Sequence, residues 1–178
     1  MAFKSTPKLD AAHLKDYAAR LLASRPLTSS ELRRKLRAKA AHPADIDPLM
    51  EALRGYGVID DTRLASNFAQ TRADSGSMGS RKALAQLRAK GVAPATAQSA
   101  VDDAYQGRDE TQMVSDYLAR KFRSKNLAEL LADPAKLASV YRRLRTAGFS
   151  SSASIRALKQ FAAQAAALED MPEETPEA

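Results

Sequence analysis

The sequence predicts an all-α protein made of three tandem three-helix repeats that together form an elongated, curved molecule. Three observations predict this fold: apolar residues recur at helical spacing almost throughout, 36 of the 178 residues are alanine, and one helix-ending pattern occurs three times. Alanine is the best helix former, whereas the β-branched residues that favour strands are sparse here. Each repeat of about fifty residues has little core of its own, so stacked repeats are expected to share apolar faces.

The repeat is clearest where the second helix of each unit ends. The matching segments are 36–40 (LRAKA), 87–91 (LRAKG) and 144–148 (LRTAG). The following helix keeps the same register, because Met50, Val101 and Leu158 each lie 14 residues after the leucine that opens their segment. This self-similarity predicts one architecture used three times.

Composition and helix-ending residues set the boundaries of these units. The predicted parts are a flexible N-terminal tail at 1–12, repeats at 13–57, 58–107 and 108–167, and a disordered acidic C-terminal tail at 168–178. The last ten residues hold five acidic residues and no basic one, a composition typical of disorder.

In the first repeat, apolar spacing from Leu14 to Leu22 predicts a helix that ends at Pro26. Thr28 and Glu31 have the spacing of a capping box, which predicts the start of the second helix. Pro43 suits the first turn of the third helix.

Pro48 lies about one turn farther along that third helix and predicts either a kink or a helix that begins at Asp47. The second helix of the first repeat ends at Ala40. In the other two repeats a glycine stands at the corresponding position.

The second repeat begins with a helix capped by Asp60 or Asp61, followed by a flexible break at 74–79 and helices from about Ser80 and Pro94. In the third repeat, Asp133 is expected to cap a helix that follows a short added helix within 125–132.

Charge is distributed unevenly. Residues 1–168 carry all 28 basic residues and 16 acidic ones, a net charge of +12, and the tail carries five further acids. The bases cluster on the second helices, which predicts a basic stripe if the repeats stack in register. The candidate contact residues, which include Arg72 from the preceding helix, are Arg33, Arg34, Arg37, Lys39, Arg72, Arg81, Lys82, Arg88, Lys90, Arg142, Arg143 and Arg145. They are either a polyanion-binding surface or solvated helix faces favoured by the helix dipole.

The sequence holds no credible catalytic or metal-binding constellation. There is no cysteine, there are two histidines far apart, and the segment from Gly76 to Lys82 lacks phosphate-loop spacing. We therefore expect no enzyme activity, no cofactor, no metal and no small-molecule substrate. No apolar run approaches the roughly 20 residues of a membrane span, and the first residues do not resemble a signal peptide, so we expect a cytoplasmic protein without membrane contact. We also expect a monomer.

Three tyrosines are candidates for stacking on nucleic-acid bases: Tyr56, Tyr105 and Tyr141. Their positions at helical spacing favour packing inside the protein instead.

Several segments together resemble the RecX family, regulators of the RecA recombinase. They are 18–26 (AARLLASRP), 30–36 (SELRRKL), 57–65 (GVIDDTRLA), 68–72 (FAQTR), Gly79 and 87–92 (LRAKGV). The chain departs from the family pattern at Ala40, where glycine is usual, and at Ser80, where proline is common. The resemblance extends from about Leu14 to Phe161, and the third repeat of this chain diverges most from the family pattern.

The resemblance implies a non-enzymatic protein of homologous recombination, DNA repair and the SOS response. Such proteins lie in the groove of the RecA–DNA filament and mainly inhibit its ATPase, strand-exchange and co-protease activities. The expected partners are therefore the RecA filament and single- or double-stranded DNA near it. The alternative from the residues themselves is a stand-alone basic DNA-binding protein, because three-helix units with a basic helix resemble helix-turn-helix modules.

Overall fold

The computed structural model describes residues 8–170, and these are helical with no strand, as the sequence predicts. The α-helices are α1 (Ala11–Ser24), α2 (Ser29–Lys39), α3 (Ile46–Gly55), α4 (Asp61–Ser75), α5 (Ser80–Ala89), α6 (Pro94–Tyr105), α7 (Glu110–Lys121), α8 (Leu127–Leu131), α9 (Pro134–Thr146) and α10 (Ser151–Lys159). Short 3-10 helices occupy Pro43–Asp45 and Ala163–Asp170.

The helices pack into two compact units. Among the described residues, the first unit contains 8–67 together with Leu87–Ala100, and the second contains Phe68–Gln86 together with 101–170. The divisions fall inside α4, α5 and α6, so each helix of the predicted second repeat contributes residues to both units, which is consistent with repeats too small to bury a core alone.

The ordered chain begins earlier than the sequence predicts. Within the predicted N-terminal tail, the Leu9 amide donates to the Lys39 carbonyl and the Ala41 amide donates to the Leu9 carbonyl, both at 2.8 Å. Asp10 then caps α1 by accepting a hydrogen bond from the His13 amide. Part of the predicted N-terminal tail thus contacts the end of α2 through Leu9 and leads into α1 through Asp10; residues 1–7 lie outside the described residues.

The same contact explains how α2 ends without glycine. Ala40 leaves the helix in an extended conformation, with φ −61° and ψ 136°, and forms an isolated parallel bridge with Leu9. The corresponding Gly91 and Gly148 instead have φ of +77° and +89°, the left-handed region in which glycine is favoured. Pairing with Leu9 therefore replaces the glycine cap in the first repeat.

The first unit has a core formed by α1, α2 and α3. Its fully buried side chains include Leu14, Leu32, Leu36 and Met50. The third helix is preceded by the 3-10 turn that Pro43 opens, and its α-helical part begins at Ile46, one residue before the start that the sequence predicts.

The second unit has a larger core, built on α7, α9 and α10 around Phe149. The short helix predicted within 125–132 is α8, and Asn126 caps it. The predicted cap at Asp133 is also confirmed, since its side chain accepts from the Ala135 and Lys136 amides.

The core of the second unit includes the first residue of the predicted C-terminal tail. Leu168, the first residue assigned to the acidic tail, is buried in the core of the second unit, as is Ala165. Because this 3-10 segment supplies apolar side chains to the core, residue 168 belongs to the folded body; residues 171–178 lie outside the described residues.

The break between α4 and α5 is tightly held. The Arg120 guanidinium donates to the Gly76 carbonyl at 2.6 Å, the Tyr105 hydroxyl donates to the Met78 carbonyl at 3.0 Å, and the Gly79 amide donates to the Ala147 carbonyl at 2.9 Å. Burial raises the pKa of Tyr105 to about 12, so its hydroxyl remains a donor at neutral pH. The prediction of a flexible segment here is therefore wrong, because contacts distant in sequence fix the loop.

Candidate interaction surface

The strongest part of the predicted basic surface is the solvent-facing side of α2. Leu32 and Leu36 point into the core, so the arginines between them project outward. Arg34 and Arg37 are exposed, and within residues 8–170 neither has a hydrogen-bond or ion-pair partner. Two guanidiniums one turn apart without a carboxylate leave their full charge available to an anionic partner.

Arg33 differs from these two neighbours. Its guanidinium pairs with the carboxylate of Asp47 on α3 and is only 31% exposed. Arg33 therefore joins two helices of the first unit, and its charge is partly neutralised. The sequence contained no signal for this pair, because its members lie 14 residues apart on different helices.

Lys90 is engaged within the first unit. Its ammonium lies 3.3 Å from an Oε of Glu31, which is only 7% exposed. Burial raises the pKa of Glu31, but the hydrogen bond from the Thr28 amide and the charges of Lys90 and Arg25 lower it more, so the carboxylate is held below its ordinary pKa. Because its ammonium is committed to a buried carboxylate, Lys90 is a structural residue and contributes little to a basic surface.

Arg88 and Lys39 complete the predicted set in the first unit. Arg88 is exposed in the last turn of α5, and Lys39 is half-buried in the last turn of α2. Neither side chain has a carboxylate partner in the described part of the chain. Their position near helix C-termini is one the helix dipole favours in any case.

In the second unit, Arg81 and Arg142 are exposed, and neither pairs with another side chain among residues 8–170. Lys82 is half-buried because the Gly148 turn packs against its main chain. These residues extend the set of available cations to α5 and α9.

The other arginines predicted in this unit make internal contacts. The Arg72 guanidinium lies 5.1 Å from the ring centroid of Phe68, and that of Arg143 lies 5.9 Å from the Phe122 ring. Arg145 donates to the Phe149 carbonyl at 2.9 Å. Arg143 is nonetheless exposed and retains donors for a partner, whereas Arg72 and Arg145 are mainly packing residues.

Two arginines outside the predicted basic stripe make defined contacts. Arg120 holds the Gly76 loop, and Arg108 donates to the Asp74 carboxylate at 2.6 Å. The hydrogen bond from Arg108 lowers the pKa of Asp74. Their partners are more than thirty residues distant, so no local pattern identifies them.

The described residues contain no group of three His, Asp or Glu side chains arranged to hold a metal ion. No helix among them is long and apolar enough to cross a membrane. Exposed guanidiniums lie on both units, at Arg34 and Arg37 in the first and at Arg81 and Arg142 in the second, and guanidiniums bind carboxylates and phosphates through charge-assisted hydrogen bonds.

Two segments of this chain match domains of a known protein family. Residues 15–53 match the first three-helix domain of RecX, and residues 60–101 match its second three-helix domain.

Relatives with the name regulatory protein RecX extend this similarity. The one from Chromohalobacter salexigens is 34% identical over 135 residues, covering 76% of this chain and 84% of its own. The one from Chromobacterium violaceum is 30% identical over 136 residues, covering 76% and 82%.

Solved structures show the same fold. The crystal structure of RecX from Lactobacillus salivarius superposes with a TM-score of 0.64 at 18% identity, covering 85% of this chain and 96% of that one. A second crystal structure of regulatory protein RecX gives a TM-score of 0.62 at 24% identity, covering 84% and 71%.

Proposed function

This chain belongs to the RecX family of regulatory proteins, and from that membership we propose that it binds the RecA–DNA filament and mainly inhibits RecA. The inhibited activities are ATP hydrolysis, strand exchange and co-protease function. Binding across neighbouring filament subunits hinders the motions that accompany ATP turnover and favours net disassembly. The protein acts in the cytoplasm as a monomer and without a catalytic step of its own.

The observation that carries the proposed contact is the pair Arg34 and Arg37. Both are exposed, both lie on the same side of α2, and neither is neutralised by a carboxylate in the described residues. Six arginines of the predicted stripe are exposed and lack a carboxylate partner among residues 8–170, and we assign the contact to them: Arg34, Arg37, Arg81, Arg88, Arg142 and Arg143. They meet acidic RecA surface or nearby DNA phosphates, each contributing a charge-assisted hydrogen bond.

The test reverses both charges on α2 with Arg34→Glu and Arg37→Glu together. Filament affinity and RecA ATPase rate are measured against salt between about 50 and 200 mM, the range over which phosphate contacts lose most affinity. We expect at least tenfold weaker binding and a shallower salt dependence. Arg33 is left intact because its loss would also break the contact with Asp47.

The matched control is Lys15→Glu with Arg20→Glu, which makes the same change in net charge at two exposed positions of α1. If the two double variants weaken binding equally, only net charge matters and the α2 contact is rejected. A wild-type protein that binds naked duplex DNA tightly and leaves RecA ATPase unchanged supports the stand-alone DNA-binding protein instead.

A further inference from the structure

The turn after α3 presents an aromatic ring to solvent. Tyr56 is 80% exposed and Val58 is 48% exposed, and they are the large hydrophobic residues that are exposed within the described residues. Helical spacing predicts that Tyr56 packs inside the protein, and that prediction is wrong. Because an exposed ring forgoes the burial that a tyrosine usually gains, stability of the fold does not account for it.

The backbone around Tyr56 is fixed. Its amide donates to the Ala52 carbonyl at 3.0 Å, and the Val58 amide donates to the Leu53 carbonyl at 3.0 Å. Gly57 has a φ of +66°, which turns the chain back so that Ile59 is buried in the core of the first unit. The ring is therefore carried on a rigid turn, so little ordering entropy is lost when a ligand contacts it.

Two guanidiniums accompany this turn. Arg54 precedes it and is exposed, and the Arg63 guanidinium donates to the Gly57 carbonyl at 3.1 Å. Neither forms an ion pair in the part of the chain that the structure describes. The two nearby carboxylates are engaged by main-chain amides, Asp60 by that of Arg63 and Asp61 by that of Ser29.

We propose that Tyr56, Arg54 and Arg63 form a stacking site for an unpaired base of single-stranded nucleic acid. An exposed aromatic ring stacks on any base, whatever its identity, and neighbouring arginines bind the phosphates on either side. The net charge of +12 on residues 1–168 draws a polyanion toward this surface. A duplex cannot use the ring, because its bases are already stacked on one another.

The alternative occupant of this surface is a protein partner, which would contact the cavity beside Val58. A cavity of about 230 Å³ there has a mixed lining, with Leu22, Leu27 and Leu64 among its apolar residues and Asp60, Arg63 and Asn67 among its polar ones. It has room for one side chain of a partner. Within residues 8–170, Tyr56 and Val58 are the large hydrophobic side chains that are exposed, and two such residues are fewer than the apolar core of a specific protein interface contains. The stacking site is therefore the better match to Tyr56 and its two arginines.

The chain has no tryptophan, so Tyr56→Trp introduces a single fluorescent reporter at the site. We expect its emission to be quenched when about 20 nucleotides of oligo(dT) bind at about 50 mM salt. The same oligonucleotide should bind Tyr56→Ala at least about fivefold more weakly than wild type, and Tyr56→Phe nearly as well as wild type. Unfolding curves of all three variants should match wild type, because the ring is exposed.

The stacking site rests on the proposed function only in that DNA is assumed to be the polyanion. Its test contains no RecA, so the stacking site and the proposed inhibition of RecA can fail separately. Three results would each overturn the stacking site. They are tryptophan fluorescence that is not quenched at saturating oligo(dT), equal oligo(dT) affinity for wild type and Tyr56→Ala, and no oligo(dT) binding by wild type. An equal loss on duplex DNA would also overturn it. A Tyr56→Ala variant that binds oligo(dT) normally but has lost filament affinity would instead assign the turn to a protein partner.

Discussion

The hydroxyl of Thr28 donates a hydrogen bond of 2.6 Å to the main-chain carbonyl of Lys90. The same oxygen accepts a hydrogen bond from the Glu31 amide at 3.0 Å, so one buried hydroxyl both caps α2 and binds the segment that follows α5. The capping box could be read from the sequence, whereas its second partner, 62 residues away, could not.

Replacing Thr28 with valine keeps the shape of the side chain and removes both hydrogen bonds. We expect the free energy of unfolding to fall by about 2 kcal/mol, since a helix cap is lost and the half-buried Lys90 carbonyl loses its donor. Urea unfolding monitored by circular dichroism measures this. Thr62→Val, at an exposed position in the first turn of α4, is the control and should change stability little; a similar loss in both variants would contradict the role of Thr28.

The buried carboxylate of Glu31 predicts a dependence of stability on pH. Its pKa is lower in the folded protein than in the unfolded chain, so it stabilises the fold above the unfolded-state pKa, about 4.3. That contribution is lost as the pH falls through the lower, folded-state pKa. Glu31→Gln should therefore be less stable than wild type by about 1–2 kcal/mol at pH 7, with the gap narrowing in acid.

The test is to measure the free energy of unfolding of wild type and of Glu31→Gln between about pH 3 and 7, and to follow the difference between them. Glu51→Gln, which alters an exposed carboxylate of α3, serves as the control. A gap that stays constant across the whole range would show that the ionised form of Glu31 does not stabilise the fold.

Gly79 and Gly148 each lie so close to neighbouring backbone that neither tolerates a side chain. A Cβ on Gly79 would lie 2.2 Å from the Gly148 carbonyl oxygen, and a Cβ on Gly148 would lie 2.4 Å from the Lys82 amide nitrogen. Since both obstacles are backbone, Gly79→Ala should destabilise the protein by about 1–3 kcal/mol. Thermal unfolding measures the loss.

Gly55→Ala is the matched control for Gly79→Ala. A Cβ at that position would meet no atom within 4 Å, and alanine is the better helix former. We expect it to be neutral or slightly stabilising. A Gly79→Ala variant with the melting temperature of Gly55→Ala would refute the close approach.

Arg120 is expected to control the mobility of the loop at Gly76. In Arg120→Met the apolar stem remains, but the hydrogen bond to the Gly76 carbonyl is lost. Amide hydrogen exchange of residues 76–79 should become faster, while the core of the second unit keeps its protection. Lys121→Met, which removes a neighbouring exposed cation, should leave exchange in this loop unchanged.

Local sequence chemistry predicts most of the helices, because caps and apolar spacing act within one or two turns. The box at Thr28, the cap at Asp133 and the starts at Ser80 and Pro94 are all where the residues predict them. The candidate surface was less predictable. Cationic charge is visible in the sequence, but whether a given arginine or lysine has a partner depends on which helix packs beside it.

What the sequence by itself determined is the all-α repeat, its helix starts and the surplus of basic residues, since each follows from the order of neighbouring residues. Only the tertiary structure decided that Lys90 is committed to buried Glu31 while Arg34 and Arg37 stay available. It also decided that Leu9 replaces a glycine cap and that Tyr56 is exposed. The physical reason is that burial and pairing are set by contacts between residues far apart in the chain, and local periodicity carries no record of them.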